Sequence, residues 1–386
     1  MTSPSLRPDG SPGEVLVHAF GRTDVGRTRD HNEDSFLVAD LSAGVHAQEA
    51  GLLAHVLGPR GSIFMVADGL GGAAAGELAS EMAVTVVLEE LRERWVKSPK
   101  SDEATFAAAL KGAAEAANSR IHEFASQHPE HRGMGTTATI AGLLGDTLYL
   151  VQVGDSRAYL IRDGHAQQIT KDQSLMQRLI EAGEMTPEEA ERSERRNIIL
   201  QALGPEPSVK IDLTYQRLRR SDTLVLCTDG LSGLVRPEQI ADVVNTEADL
   251  SAACTRLIDL ANENGGPDNI TVVAARFDGA GLGVAEADDK VGYEVFPLGG
   301  TGPRTVPRPP SPPAEPSRAA ETPRSEHVSA GSIGGGPSRA VLLAVTAALL
   351  LAALVFAARQ LRGAIDESSM IEQRAPTLPQ SQISRS

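Results

Sequence analysis

Apolar and polar residues follow two periods along residues 14–277, and each period predicts a type of element. Short apolar runs bounded by turn residues predict strands in EVLVHAFGRTDVG, SFLVAD and SIFMVAD. Apolar positions at helical spacing predict helices. The predicted helices cover residues 76–95, 104–127, 172–195, 237–244 and 248–263. Because the third of these stretches is highly charged, we interpret it as a mobile insert.

Glycine and aspartate turns divide the middle of the chain into short strands. The stretch TTATIAGLLGDTLYLVQVGDSRAYLIRDGHAQQIT is predicted to form three short strands of an antiparallel meander. YQRLRRSDTLVLCTDG contains two more strands, and NITVVAARF ends the region as another. Antiparallel strands with helices segregated in sequence predict an α+β fold, a sandwich of sheets faced by helices.

The remaining residues divide into regions of different composition. Residues 1–13 are polar and rich in proline and glycine, which predicts a disordered N-terminus before a globular domain at 14–278. Residues 279–338 contain dense prolines and then clustered glycines. They cannot bury enough apolar area to offset their ordering entropy, so we interpret them as a linker. Residues 360–386 form a short polar tail.

One apolar segment near the C-terminus predicts a transmembrane helix over residues 339–359. Residues 340–358 read AVLLAVTAALLLAALVFAA and carry no charge. At 1.5 Å per residue they span roughly 28 Å, close to the ~30 Å of bilayer hydrocarbon. A buried core helix is the alternative, but no further domain follows that would bury it.

The side of the membrane on which the globular domain lies has to be inferred from opposing signals. Two arginines closely precede the apolar segment and three follow it, which mildly opposes a cytoplasmic domain. Against this, the chain starts without the apolar core of a signal peptide, and two cysteines cannot make a disulfide framework. We therefore expect a single-pass protein of the cell membrane with its globular domain in the cytoplasm.

Composition limits the partners and the chemistry. Hydrophobic residues make up 41% of the chain and aromatic residues 3%, which predicts an aliphatic core. The 51 acidic residues exceed the 36 basic ones and give a net charge of -15. This charge argues against nucleic acid as a partner, because neutralising phosphates requires a basic face. Carboxylates in excess suit hard cations instead.

Several aspartates stand at the ends of buried strands, next to glycine or turn residues. They are Asp68, Asp155, Asp229 and Asp268, and the neighbouring acids Glu33 and Asp34 lie in RTRDHNEDS. One Asp-Gly at a strand end is usually only a turn, but carboxylates brought together by a sheet repel one another unless cations neutralise them. Mg²⁺ or Mn²⁺ fits such oxygen ligands. A carboxylate that bridges two ions about 3.5–4 Å apart is the layout of two-metal phosphate-ester hydrolysis.

Motifs of other chemistries are absent or incomplete. Neither Cys227 nor Cys254 has an arginine six residues later, so the loop of a cysteine-nucleophile phosphatase is absent. No HExxH zinc helix and no GxxxxGK phosphate loop occur. Gly69, Gly71 and Ala74 match the dinucleotide-binding spacing, but no second strand follows the helix to present an acid to a ribose. A two-metal nuclease stays open as an alternative, although the acidic composition opposes it.

Motifs in a fixed order give a resemblance to a known family. They are RTRDHNED, VADGLGG, GMGTTAT, VGDSRAYL, ITKDQS, RRNIILQALG, CTDGLSG and GPDNITVV. Over residues 14–277 this order is similar to that of the metal-dependent type 2C serine/threonine protein phosphatases, in particular their bacterial branch. The resemblance implies a central antiparallel β-sandwich flanked by helix pairs, with two Mn²⁺ or Mg²⁺ ions in a cleft at one end.

The resemblance also implies metal ligands at matching positions. Asp68 resembles the ligand that bridges the two ions. Glu33 and the carbonyl group of Gly69 complete the coordination of one ion, and Asp229 and Asp268 hold the other.

Three further residues have implied catalytic roles. Arg29 resembles the phosphate-binding arginine, whose guanidinium fork fits two phosphoryl oxygens. Asp34 and Thr136 resemble groups that orient metal-bound water. This water attacks phosphorus in line, so no phosphoenzyme is expected.

The chain departs from the family pattern at several places. Leu70 stands where animal relatives carry a histidine proposed as general acid, so the group that protonates the leaving oxygen is not identified. Gly233 replaces an aspartate that serves a third ion together with the retained Asp155, so a third ion site is expected to be weak. The segment between the second and third predicted strands, residues 43–60, is longer than expected. Residues 172–196 correspond to a flap beside the cleft, which either selects substrates or is only a solvated helix pair.

The expected function is that of a protein phosphatase that acts on phosphorylated proteins and opposes Ser/Thr kinases. A narrower alternative is a phosphatase of a phosphorylated sigma-factor regulator, which the complete arginine and GDSR motifs disfavour. A different class of alternative is a pseudophosphatase that binds phosphoproteins without turnover. The filled ligand positions oppose it. The sequence does not indicate an oligomeric state.

Overall fold

The computed structural model describes residues 13–286 and 289–298. Most of the predicted N-terminal segment and linker lie outside these residues, as do the whole predicted transmembrane segment and the tail. In the part that is described, no helix combines the length and the apolar character needed to cross a bilayer.

Thirteen strands of the described residues form two antiparallel sheets. In chain order they are β1 (Leu16–Asp24), β2 (Asp34–Asp40), β3 (Val45–Ala47), β4 (Gly51–Val56), β5 (Ser62–Leu70), β6 (Gly135–Thr136), β7 (Ala138–Leu144), β8 (Thr147–Val153), β9 (Arg157–Arg162), β10 (His165–Gln168), β11 (Asp212–Arg217), β12 (Thr223–Cys227) and β13 (Ile270–Asp278). The first sheet has the order β10-β9-β12-β13-β1-β4. The second has the order β11-β8-β7-β5-β2-β3, with β6 paired to β5.

Seven α-helices accompany the strands in the described residues. They are α1 (Ala73–Leu91), α2 (Glu103–Gln127), α3 (Leu175–Glu181), α4 (Pro187–Glu191), α5 (Asp229–Ser232), α6 (Pro237–Thr246) and α7 (Leu250–Glu263). Four of the predicted helical stretches correspond to α1, α2, α6 and α7. The stretch 172–195 instead forms two short helices, because Gly183 adopts a positive φ of 71° after α3 and the Thr186 hydroxyl caps the start of α4.

The two sheets face each other, and each carries a helix pair on its outer side, so the predicted α+β sandwich is confirmed. α1 and α2 cover the second sheet, and α6 and α7 cover the first. Alanines such as Ala83 and Ala114 are fully buried where the first helix pair packs. Their small side chains allow a close approach of the layers, in keeping with the predicted aliphatic core.

Three hydrophobic clusters fill the spaces between the four layers. Under the first helix pair, the Phe106 ring lies 4.9 Å from Trp95 and 5.7 Å from Tyr149. Between the sheets, Phe64 and Phe277 meet edge to face at 6.0 Å. The third cluster joins the first sheet to α5, α6 and α7 and is mainly aliphatic. Each large apolar side chain that is fully buried contributes about 1.5–3 kcal/mol relative to exposure.

The region predicted as one antiparallel meander crosses between the two sheets. β7 and β8 pair with each other in the second sheet, whereas β9 pairs with β10 and β12 in the first. The crossing takes place at Gly154, which has a φ of 96° and would bring a Cβ within 2.6 Å of Thr137. The meander prediction is wrong because a short apolar strand looks the same whichever sheet it joins.

Two segments that the sequence left unexplained or assigned to the linker are part of the fold. Within residues 43–60, β3 extends the second sheet beside β2 and β4 extends the first beside β1. Residues 289–298 run along β11, where the Phe296 N–H donates to the Leu213 carbonyl at 3.0 Å. The buried Phe296 ring packs 5.8 Å from Tyr215. The packed region therefore extends beyond the predicted boundary at residue 278.

Candidate functional site

The predicted acidic residues from distant parts of the chain lie at one end of the β-sandwich. Asp34 begins β2 and Asp68 lies near the end of β5, and the two are direct partners across these strands. Asp229 follows β12 and Asp268 precedes β13, whose neighbouring ends are also paired. Antiparallel pairing places the end of one strand beside the start of the next, which is why these carboxylates meet.

Asp155 reaches the same end through the crossing between the sheets. It follows Gly154, after the last residue of β8 and before the first of β9. Its charge acts on the carboxyl group of Asp68, and the charge of Asp229 acts on Asp155 in turn. The residue predicted to serve a third ion therefore lies beside the others.

Hydrogen bonds fix the main chain where β5 ends. The Thr137 N–H and the Thr136 hydroxyl donate to the Asp68 carbonyl at 2.8 and 2.9 Å. The Gly69 N–H donates to the Glu33 carbonyl at 3.1 Å. Because its proton is used by backbone carbonyls, the Thr136 hydroxyl can only accept a hydrogen bond from a water.

Burial and mutual repulsion hold these carboxyl groups close to protonation. Burial, followed by the charges of Asp34 and Asp229, raises the pKa of Asp68 well above its usual value. Burial also raises the pKa of Asp34 and of Asp155 to about 7. Burial and then the charge of Asp268 raise the pKa of Asp229. The cluster is therefore short of positive charge.

Arg29 provides positive charge at the edge of this cluster. Its Nη2 donates to Asp268 Oδ2 at 2.9 Å, and its Nη1 lies 3.9 Å from Glu33 Oε1. The Arg29 side chain is 46% exposed, whereas that of Glu33 is 10% exposed. The guanidinium thus lies where the acids open to solvent, and one ion pair with Asp268 holds it there.

The donor set fits hard divalent cations. Carboxylate oxygens and one backbone carbonyl, without sulfur or imidazole, are the ligands that Mg²⁺ and Mn²⁺ prefer. Among the residues that the structure describes, no three acidic, histidine or cysteine side chains already have the arrangement that holds an ion. Burial first, and then the charges of neighbouring aspartates, raise the pKa of Asp68 and of Asp229, and a nearby cation would oppose both effects.

Asn269 is a site residue for which no role was predicted from the sequence. Its side-chain oxygen accepts from the Glu33 N–H at 2.8 Å, and its amide donates to the carbonyl groups of Val25 and His31 at 3.0 and 2.9 Å. Asn269 therefore ties the loop that carries Arg29 to β13. The only signal in the sequence was its place beside Asp268 in the GPDNITVV motif.

Gly76 in α1 is a second site residue for which no role was predicted. A Cβ at this position would lie 2.2 Å from Glu33 Oε2. A Cβ at Gly69 would likewise lie 2.2 Å from the Gly76 carbonyl. Helix α1 can approach the acidic cluster only because these two positions lack a side chain.

The root of the predicted flap is joined to the turn that carries Asp155. Arg157 forms a two-pronged ion pair with Asp172, from Nε to Oδ1 at 3.1 Å and from Nη2 to Oδ2 at 2.7 Å. The Gln173 N–H donates to the Gly154 carbonyl at 2.8 Å, and the Gly154 N–H donates to Gln173 Oε1 at 3.1 Å. The flap helices α3 and α4 follow this root.

Two alternative chemistries do not fit the geometry. Burial raises the pKa of the Cys227 thiol to about 12, so this cysteine is protonated at neutral pH and is not a nucleophile. Every strand pairing in the described residues is antiparallel. The parallel strand–helix–strand unit of a dinucleotide site is therefore not formed around Gly69.

Comparisons with known proteins agree with this architecture. The family model described as protein phosphatase 2C matches residues 41–272. The serine/threonine phosphatase stp of Listeria welshimeri is 35% identical over 257 residues, which are 67% of this chain and 94% of the relative. The serine/threonine protein phosphatase PstP of Mycobacterium tuberculosis is 40% identical over 262 residues, which are 68% of this chain and 45% of the relative.

A solved structure has the same fold as this chain. The catalytic domain of serine threonine protein phosphatase PstP in complex with two manganese ions has a TM-score of 0.55 and 35% sequence identity to this chain. The match covers 68% of this chain and 99% of that one. The fold and the domain with the acidic cluster are thus shared with a protein that binds two metal ions.

Proposed function

Because the chain belongs to the protein phosphatase 2C family, we propose that it is a metal-dependent protein serine/threonine phosphatase. It hydrolyses phosphoserine and phosphothreonine in proteins and so opposes Ser/Thr kinases. The observation that carries this proposal is the meeting of Asp34, Asp68, Asp229 and Asp268 at one end of the sandwich, where their repulsion calls for cations. A neighbouring guanidinium, that of Arg29, can bind a phosphoryl group.

Two Mn²⁺ or Mg²⁺ ions are the cofactors in this proposal. Bound ions of this kind lower the pKa of water and neutralise charge on phosphoryl oxygens. Asp68, on whose carboxyl group the charges of the other four aspartates act, would hold both ions. Glu33 and the Gly69 carbonyl would complete one coordination sphere, and Asp229 and Asp268 the other.

A third, weaker ion site is proposed at Asp155. The carboxyl group of Asp155 feels the charges of Asp229 and Asp172, which favours a nearby cation. Gly233 offers no side-chain ligand to complete such a site, so we expect it to bind more weakly than the other two.

The site residues that do not hold metal ions bind the phosphoryl group or orient the attacking water. Arg29 turns from Asp268 to two oxygens of the phosphoryl group, where its fork also stabilises the charge that develops during attack. Asp34 accepts a hydrogen bond from the attacking water and orients it toward phosphorus. Thr136 can accept a second bond from this water. The leaving serine or threonine oxygen takes up a proton from solvent or from water in the site, since Leu70 cannot supply one.

The test is hydrolysis of a phosphothreonine peptide by the full chain with Mn²⁺, with and without chelator. We expect turnover that chelator abolishes and that Asp229→Asn lowers by more than about 100-fold, beyond the effect of losing an outer partner. Arg29→Ala should mainly raise KM if it binds ground and transition states alike. A folded, Mn²⁺-binding protein that hydrolyses neither this peptide nor p-nitrophenyl phosphate would instead be a pseudophosphatase.

We also propose that residues 339–359 anchor the protein in the cell membrane, with the catalytic domain in the cytoplasm. The uncharged apolar stretch 340–358 supports the anchor. The cytoplasmic side is supported by cysteines too few for a disulfide framework, and the arginine count mildly opposes it. To test the anchor, the full chain and a chain that ends at residue 298 are expressed in bacteria, and their association with membranes is compared. The full chain should stay with membranes in alkaline carbonate, and externally added protease should not reach its domain in intact spheroplasts. Release by carbonate would contradict the anchor.

A further inference from the structure

Two threonines bind the same oxygen of Asp34. The Thr228 hydroxyl donates to Asp34 Oδ2 at 2.8 Å, and the Thr271 hydroxyl donates to the same oxygen at 2.7 Å. Both threonines are fully buried, and Asp34 is 8% exposed. The side-chain bonds of Asp34 in the described structure all end on Oδ2, so Oδ1 is the oxygen left for a water.

The direction of both bonds is set by neighbouring groups. The Thr228 hydroxyl accepts from the Thr271 N–H at 3.0 Å, so its single proton is free to point to Asp34. Thr271 lies 2.7 Å from the hydroxyl of Thr23, which in turn accepts from the Asn32 amide at 2.8 Å.

Asn32 fixes the direction of this row of hydroxyl groups. Its side-chain oxygen accepts from the Asp34 N–H at 3.1 Å, so its amide nitrogen is the group that faces Thr23. An amide nitrogen can only donate, and a carboxylate can only accept. The protons therefore run in one direction, from Asn32 through Thr23 and Thr271 to Asp34.

We propose that Thr271 and Thr228 are positioning residues for the reaction, with Thr23 and Asn32 behind them. This inference deepens the proposed function and rests on it. The torsion that rotates a carboxylate is soft and roughly two-fold, so a buried Asp34 without these donors could turn away from the attacking water. Two directed hydroxyl groups on Oδ2 hold the plane of the carboxylate and keep Oδ1 as the acceptor for the water.

The experiment compares Thr271→Val with Thr271→Ser in the full chain with Mn²⁺. Valine keeps the shape and removes the hydroxyl, and serine restores the hydroxyl. We expect Thr271→Val to lower kcat by about 10- to 100-fold, the usual effect of losing an outer partner. KM and the Mn²⁺ affinity from calorimetry should stay within about two-fold of wild type, and Thr271→Ser should recover most of kcat.

A matched control is Thr139→Val. Thr139 is also fully buried, and its hydroxyl bonds Gln152 and the Ser156 carbonyl, away from Asp34. It should lose a similar amount of thermal stability and keep its kcat. An equal loss of kcat in this control, or a wild-type kcat in Thr271→Val, would overturn the proposal.

Thr23→Val tests the directed row without touching Asp34. It should lower kcat by a few-fold alone and have no further effect in the Thr271→Val background, because both changes interrupt one row. Independent, additive effects would contradict the row. Thr228→Val would test the second hydroxyl, but it leaves the buried Thr271 N–H without its acceptor and can prevent folding. The comparison of Thr23→Val with Thr271→Val does not depend on that variant.

A crystal structure of metal-free Thr271→Val separates this inference from the proposed function. Rotation of the Asp34 carboxylate in the valine variant, but not in the serine variant, would support the positioning role even if the wild-type protein shows no turnover. An unrotated carboxylate would overturn it, whatever the activity. Absence of turnover in wild type would count against the phosphatase proposal alone.

Discussion

Asp34, Asp68, Asp155 and Asp229 are held close together in a partly buried site, and each has a raised pKa. The folded protein without metal therefore binds more protons near neutral pH than the unfolded chain, whose aspartates have ordinary pKa values. A raised pKa makes the folded state lose stability as the pH rises from the unfolded value through the folded one. The site is thus an energetic cost that cations offset.

The first prediction is that the metal-free protein unfolds more easily at pH 8 than at pH 6. The difference should reach at least about 1 kcal/mol, since one unit of pKa difference corresponds to about 1.4 kcal/mol. Urea unfolding with chelator at both values measures it. Added Mn²⁺ should stabilise the protein more at pH 8. Greater stability of the metal-free protein at pH 8 would contradict the raised pKa values.

The second prediction concerns Asp155→Asn. Removing this charge should stabilise the metal-free protein at pH 8 by about 1 kcal/mol or more, because the cost of burying the charge and its repulsion with Asp229 are both lost. Tight Mn²⁺ binding should persist, since Asp155 is proposed to serve only the weak third site. Urea unfolding and calorimetric titration check the two parts. Asp163→Asn is the control, because Asp163 lies in the turn after β9 and is exposed. It should leave the free energy of unfolding and the Mn²⁺ affinity unchanged.

Single residues of the site were predicted to different extents. The strand-end aspartates were found because a carboxylate after a buried apolar run is visible in one stretch of sequence. Thr228 and Thr271 were not found, because threonine is common at strand ends and gives no sign of a role in the site. Their contact with Asp34 depends on the register of strands almost 200 residues and more away in sequence. Gly76 was missed for the same reason.

At the scale of elements, helix α1 has to approach the acidic cluster closely. The third prediction is that Gly76→Ala lowers Mn²⁺ affinity by about 10-fold, comparable to the loss of an outer partner. A Cβ there would displace the Glu33 carboxylate, whose Oε2 would lie 2.2 Å away. The Mn²⁺ titration measures this loss.

Gly112→Ala in α2 is the matched control for this helix. The nearest atom to a Cβ there is 3.9 Å away, so alanine should add about 0.5–1 kcal/mol of stability through its helix propensity. Its Mn²⁺ affinity should stay at the wild-type value. Equal affinities of the two variants would show that Glu33 does not hold an ion.

The segment after β13 is the second element with a testable role. The fourth prediction is that Phe296→Ala destabilises the domain by about 2–4 kcal/mol, because its ring is buried against Tyr149 and Tyr215. Val295→Ala is the control, since Val295 is 62% exposed, and should change little. Urea unfolding distinguishes them. If both changes are harmless, residues 289–298 do not stabilise the domain.

The long helices were predictable, and the assignment of strands to sheets was not. A helix such as α2 contains many turns, so its apolar period is unambiguous. The strands β8 and β9 are short and similar in composition, and their separation into two sheets depends on a positive φ at Gly154. The packing of residues 289–298, which read DKVGYEVFPL, was missed because the dense prolines and glycines that follow directly placed this apolar segment within the predicted linker.

The charge of the whole molecule, -15, should affect which substrates reach the site. The fifth prediction is that phosphopeptides with lysine flanks are hydrolysed with a several-fold higher kcat/KM than peptides with glutamate flanks. The difference should shrink from ~10 mM to ~150 mM salt, as the Debye length falls from about 30 to about 8 Å. Peptides of equal length and phosphosite are compared. A preference for acidic flanks would show that local contacts outweigh the overall field.

The position of Asp155 is independent of the tip of the flap. Its turn is held by the ion pair of Arg157 with Asp172 and by the hydrogen bond from Gln173 to Gly154. The turn that carries Asp155 is held by the root of the flap and not by its tip. We therefore expect insertions, deletions or changes of charge between Glu184 and Arg196 to leave that turn in place. If the flap contacts target proteins, changes at its tip would alter the choice of target without moving Asp155.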